Sequence, residues 1–171
     1  MSVIKSFPDR YISKLAAIIM NDQEIAKFLY YNNVMDKDIY SLPDVKSPVS
    51  KLLDKKVFMN RRVESLFLKS DISIFINLYS DEPKNMNGKK SRFYDTLKVE
   101  IGVICHNDCR KTLNGARESV VFNRLEEIVR TNEELDGVKK PKIGGAVQSY
   151  NIPYDYNAYI FSITVDYFST M

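Results

Sequence analysis

Tryptophan is absent from this chain of 171 residues, and cysteine and histidine are scarce. Cys105 and Cys109 are too few for a disulfide framework, so the chain reads as one made for a reducing compartment. His106 is the lone histidine. A structural zinc site normally takes four Cys or His ligands, which the chain cannot supply around Cys105-His106-Asn107-Asp108-Cys109. Adjacent strand residues also face opposite sides, so Cys105 and His106 do not form a nucleophile–base pair. No apolar run approaches the roughly 20 residues that cross a bilayer, so no membrane partner is expected. Met1–Pro8 lacks the apolar core of a signal peptide. An excess of one charge is missing too: the net charge of +3 is too small to imply a nucleic-acid binder by itself. Gly144-Gly145 lacks the spacing of a phosphate loop. The carboxylates Asp71, Glu100, Asp108, Glu126, Glu127 and Asp166 form no acid–base motif, so neither enzyme activity nor a cofactor is expected.

What the chain does have is alternation. Ile72, Ile74, Ile76 and Leu78 fall on even positions. Leu97, Val99, Ile101, Val103 and Cys105 fall on odd ones, opposite Thr96, Lys98 and Glu100. Tyr159, Phe161, Ile163, Val165 and Tyr167 repeat the pattern. Period two over this many residues describes strands with one buried face, as in antiparallel sheets. Less regular runs at 56–63 and 142–150 complete a sheet of about five strands, with Gly144-Gly145 reading as a bulge or a close backbone approach.

Helical spacing appears in two places. Phe7-Pro8-Asp9 opens a helix carrying Ile12, Leu15, Ala16 and Ile19, and Asn21 with Glu24 reads as a capping box for a second, short helix. An isolated helix over 116–134 has Val120, Val121, Leu125, Ile128 and Val129 on one stripe. Arg117, Glu118, Arg124, Glu126, Glu127 and Arg130 fill the rest of its surface as a solvated polar face. The expected architecture is therefore α+β in a single domain: a helical segment 1–33, an extended connection 34–55, and a core of mixed or antiparallel sheet plus one long helix over 56–171.

Two features stand out as contact candidates. Residues 81–93 read as a long polar loop, because the connection is too long for a tight hairpin despite Asn87-Gly88. Its Lys84, Lys89, Lys90, Arg92 and Phe93 allow three readings: a solvated surface, a docking loop for a protein, or a nucleic-acid contact with stacking aromatics. Tyr150, Tyr154 and Tyr156 belong to an aromatic C-terminal fifth that exceeds what one sheet face can hide, so they are candidates for a subunit interface.

The order of elements carries a resemblance. A helical start, a three-stranded meander, one helix packed across the sheet and a final hairpin resemble the tail terminator proteins of long-tailed bacteriophages. The opening Tyr11-Ile12-Ser13-Lys14-Leu15 through Ile25-Ala26-Lys27-Phe28-Leu29-Tyr30-Tyr31-Asn32 is similar to phage neck proteins, and Ala158–Phe168 resembles their closing strand. The resemblance covers most of the chain by topology. It implies a structural virion protein, assembled in the host cytoplasm. That protein would form a hexameric ring on the end of the tail tube and join the tail to the head connector or adaptor protein. The implied partners are further copies of the chain, the tail tube protein and the connector. DNA would pass through the ring without specific binding. A nucleic-acid-binding α+β module, or another head-completion or baseplate adaptor, is the alternative.

Overall fold

The computed structural model describes residues 6–31, 37–59, 71–86, 89–135, 137, 139–145, 147–148 and 152–168; of 80–94 and 147–148 only the backbone is described. Helix α1 spans Phe7–Asn21. It begins at Ser6, whose hydroxyl accepts the Asp9 amide at 3.3 Å. Pro8 in the first turn loses nothing there, since the amides of that turn have no partner within the helix. Helix α2 spans Gln23–Tyr30. Its cap is Asp22, whose Oδ1 accepts the Ile25 amide at 3.0 Å. The capping-box expectation thus misplaced the cap by one residue. Asn21 completes α1 and turns its side-chain amide back onto the Ala17 carbonyl.

The connection expected to be extended is folded in part. It holds a 3-10 turn at Ile39–Ser41 and helix α3 at Pro48–Leu52. Pro48 is the first residue of this helix, where proline's fixed φ suits it. Strand β1 is only Val57–Phe58 and pairs in parallel with the next strand, Val57 opposite Ile74, which makes the sheet mixed. The rest of the expected strand 56–63, from Asn60, lies outside the described residues.

Strand β2 runs Ile72–Met86 and β3 runs Lys89–His106. They form one antiparallel hairpin from Ile72↔Cys105 to Met86↔Lys89. The expected loop at 81–93 is therefore a strand-paired arm. Met86↔Lys89 is the last described pair, and the expected Asn87-Gly88 turn lies outside the described residues. The ladder shifts between Leu78 and Ser80, and again between Pro83↔Asp95 and Asn85↔Lys90. In the second shift residues 91–94 oppose Lys84 alone, and a mismatch of this kind bends a ribbon.

After β3, a 3-10 turn at Asn107–Cys109 leads to a small hairpin, β4 (Lys111–Thr112) with β5 (Gly115–Ala116). Helix α4 follows at Arg117–Thr131, shorter at its C-terminal end than the pattern predicted. A 3-10 turn at Glu133–Leu135 completes the stretch. The expected strand at 142–150 is split into β6 (Lys142–Ile143) and β7 (Val147–Gln148). Both pair with β8, Tyr156–Phe168. From Ile143↔Ile163 to Val147↔Ile160 one strand advances four residues and the other three, the signature of a bulge. The Gly144 amide donates to the Ser162 carbonyl at 2.8 Å, and a Cβ at Gly144 would meet Ser162 Oγ at 2.3 Å. Bulge and close approach both hold there.

The sheet order is β1-β2-β3-β8-β6, with β7 also on β8. The alternating residues of β2, β3 and β8 point inward and are fully buried from Ile72 to Ile76, Leu97 to Cys105 and Phe161 to Val165. Helix α4 lays Val121, Leu125 and Val129 on this face, and α1 adds Leu15, Ala16 and Ile19. Phe7 stacks on Tyr167 with ring centroids 4.2 Å apart, tying the start of α1 to the end of β8. The opposite face carries a separate small cluster of Phe75, Ile104 and Ala158, joined by Phe58, Ile152, Tyr156 and Ile160. The fold is thus α+β, with helices covering one face of a mixed sheet.

Candidate functional site

Three places in this fold hold side chains or backbone that packing alone does not use up. The first is the arm. Beyond Tyr94↔Phe168 the described part of β8 ends, while β2 and β3 stay paired to Met86↔Lys89. Lys84, Lys89, Lys90, Arg92 and Phe93 therefore sit together on one two-stranded ribbon; their side chains are among those not described. On its other side, β2 from Ile76 onward has no strand partner among the described residues. Pro83 and the charged pair Asp81-Glu82 fall on this edge, where proline is tolerated and charge discourages unwanted pairing. At the arm's base Leu78, Tyr79 and Phe168 are exposed, Tyr79 by 67% at the bulge.

The second is the turn before β8. Tyr154 is 91% exposed, the most of any large apolar residue described. Its loop is fixed from across the sheet end: the Asn107 amide donates to the Asp155 carbonyl at 2.8 Å, and the Asn107 side chain donates to the Tyr154 carbonyl at 3.3 Å. Tyr156 is half-buried and meets His106 edge-on, with ring centroids 4.8 Å apart. It belongs to the small outer cluster, and burial with the charge of Asp155 raises its phenol pKa. Tyr150 lies outside the described residues. The structure separates the tyrosines it describes: Tyr154 is free to meet a partner, whereas Tyr156 is packed.

The third place is a polar joint under the sheet. Arg117 and Glu118, read as solvated, are both fully buried. Arg117 opens α4 and reaches the end of α2. Its Nε donates to the Phe28 carbonyl at 2.6 Å, and its Nη2 donates to the Phe28 and Tyr31 carbonyls. Phe28 lies in the last turn of α2 and Tyr31 is its C-cap, and the last carbonyls of a helix have no partner within it. Burial lowers the Arg117 pKa, and the thiols of Cys109 and Cys105 oppose that. Glu118 pairs with Arg110, which is partly exposed. Farther along α4, Arg124 donates to Asp22 Oδ2 at 2.8 Å and to Glu127 Oε2 at 2.6 Å. Asp22 and Glu127 raise its already high pKa. Amphipathic spacing missed this joint because a first-turn residue projects beyond the stripe that faces the sheet. A possible signal was the sequence Gly115-Ala116-Arg117-Glu118, which offers no Ser, Thr, Asp or Asn to cap the helix.

Cys105 and Cys109 meet at this joint. Cys105 ends the inward face of β3, and the turn at Asn107–Cys109 folds Cys109 back until the sulfurs lie 3.6 Å apart. Cys105 is buried and Cys109 half-buried, and both are free thiols. A groove of about 840 Å³ lies between α1 and the end of α4, lined by Lys14, Asn21, Asp22, Arg124 and Glu134. Its charges are engaged with one another, Lys14 with Glu134 at 3.3 Å and Arg124 with Asp22. Among the described residues no group of three or more His, Cys, Asp or Glu side chains could hold a metal ion. Nor is any described helix long and apolar enough to cross a membrane.

No curated protein matches the chain. The model of the YomW family matches residues 22–165, which takes in α2, the whole β2–β3 hairpin, α4 and most of β8. The chain therefore belongs to the YomW family, which is phage-associated.

Proposed function

We propose that this YomW-family protein is a non-catalytic structural component of a tailed phage. In this reading it caps the end of the tail tube as a ring and presents a surface for the head connector. The β2–β3 arm supports the reading best. An isolated two-stranded ribbon is marginally stable in water, so an arm of this length is expected to gain stability when another surface covers it. Its strand edges can extend a neighbour's sheet, and its lysines and Arg92 can meet an acidic rim. A head-to-tail contact of arm on neighbour closes into a ring when the rotation between copies closes. The exposed Tyr79 on β2, with Tyr154 before β8 and Phe168 at its end, offers aromatic contacts.

The mass of the full chain in solution tests this reading, measured alone and with tail tube protein. A six-fold species, alone or on tube ends, supports a terminator. A chain that stays monomeric in both conditions and never caps tubes overturns it. Binding to duplex DNA that weakens with salt, at a log–log slope near −0.9 per phosphate contact, would favour the nucleic-acid module instead.

A further inference from the structure

The polar joint contains a feature that an assembly role does not use: two thiols brought into contact at the edge of a buried cation. We propose that Cys105 and Cys109 form an oxidative modification site, in which hydrogen peroxide converts the dithiol to an intramolecular disulfide with Cys109 as the attacking thiol. The inference is independent of the ring reading.

The geometry assigns the two sulfurs different parts. Cys109 is half-buried at the surface turn and can meet a small oxidant; Cys105 is fully enclosed. The separation of 3.6 Å must shorten to about 2.05 Å for a bond. Cys109 lies on a short 3-10 turn between two strands, outside the paired ladder that holds Cys105.

The surroundings favour a thiolate at Cys109. Arg117 Nη1 is buried and has no hydrogen-bond partner among the described residues, and the Arg117 charge acts on the Cys109 sulfur. A buried cation beside a thiol stabilises the deprotonated form. The Cys105 thiol adds a hydrogen bond to the same sulfur. That bond and the Arg117 charge, against the opposing effect of burial, bring the Cys109 pKa down to about 7. Cys105 moves the opposite way, raised by its hydrogen bond to Cys109, by burial and by the Glu118 carboxylate. Lys56 adds a weaker positive field at Cys109 and is itself paired with Asp71. His106 and Asp108 sit on the same turn, 3.4 Å apart and turned toward each other.

The step balances. The Cys109 thiolate attacks one peroxide oxygen, the O–O bond breaks, and the second oxygen leaves as hydroxide and is protonated to water. Cys109 is then a sulfenic acid. The Cys105 sulfur attacks Cys109, the S–O bond breaks, and hydroxide leaves with the Cys105 proton as a second water. Two thiols are oxidised to one disulfide and one peroxide is reduced to two waters.

The full-length protein is treated with hydrogen peroxide, alkylated with iodoacetamide and weighed intact. The expected product has lost two hydrogens, carries no alkyl group, remains unlinked to a second chain, and recovers both thiols with dithiothreitol. Before oxidation, Cys109 should alkylate faster than the enclosed Cys105, with a midpoint below that of an ordinary thiol. In Cys105→Ala the sulfenic acid at Cys109 should persist and be trapped by dimedone, and the alkylation midpoint should move up. The proposal is overturned if wild-type protein keeps two free thiols, links between chains, or carries Cys109 to the sulfinic acid with Cys105 still reduced. The wild-type measurement decides even if the variant does not fold.

Discussion

The two halves of the β2–β3 hairpin are one continuous ladder built from opposite kinds of sequence. From Ile72↔Cys105 to Leu78↔Val99 the residues alternate and the inner row is fully buried through Ile76. From Ser80↔Lys98 to Met86↔Lys89 β2 pairs through Asp81-Glu82-Pro83, skips Lys84 and resumes at Asn85↔Lys90, and beyond Leu97 no alternation continues. Backbone pairing is therefore common to both halves, and alternation marks only the half that has a helix beneath it. Hydrophobic period reports burial of a strand face; a turn signal such as Asn87-Gly88 reports the ribbon itself.

The contrast can be broken most severely at the base. Ile101→Asp places an unpaired charge on the fully buried row of β3, opposite Ile76 and Phe161. The cost is several kcal/mol against a typical total of roughly 5–15, so the variant should lose its cooperative melt by circular dichroism. A wild-type melting temperature would mean that the inner face is wrongly assigned.

A smaller loss is expected at the joint beneath that same end. Arg117→Met keeps the length of the side chain and leaves the Phe28 and Tyr31 carbonyls without their donor. Each unsatisfied buried group costs about 1–3 kcal/mol. Urea unfolding should show a lower midpoint with an unchanged slope. An unchanged midpoint would show that water replaces the guanidinium.

Gly102→Ala addresses the outer face of the base. A Cβ there would lie 2.1 Å from Phe75 Cε1, so the ring must leave its place over β3. Overpacking of this kind costs about 1–3 kcal/mol, and Phe75 is itself fully buried in the outer cluster. A thermal melt within error of wild type would show that the outer cluster repacks freely.

The arm should respond least in stability and most in assembly. On the reading that Lys84, Lys89, Lys90 and Arg92 meet a partner and not the core, replacing them by Gln should change stability by about 0.5 kcal/mol or less. Ring formation or the joining of heads to tails should fall, as read by solution mass and by particle yield. Normal infectious particles from this variant would mark the arm as solvated surface.

The sites were less legible than the strands. Residues 81–93 read as a loop because the polar connection is too long for a tight hairpin; the strands instead extend into it, with Pro83 on a β2 edge where proline is tolerated. Cys105 was correctly placed inward from its odd position. Nothing in the spacing Cys105–Cys109 says that a 3-10 turn folds the second thiol under the first. Tyr154 and Tyr156 looked alike in sequence. Their exposure differs because one lies on a turn and the other begins β8.

The sequence by itself determined the three long strands, their inward rows, the helices α1 and α4, and the bulge at Gly144-Gly145, because period and glycine act over a few residues. Only the tertiary structure decided that Arg117 and Glu118 are buried, that Cys109 meets Cys105, and that 81–93 is a ribbon. Each depends on what lies opposite: the end of α2, the end of β3, or a paired strand. A local pattern carries the propensity of a segment, and the partner that satisfies its polar groups comes from elsewhere in the chain.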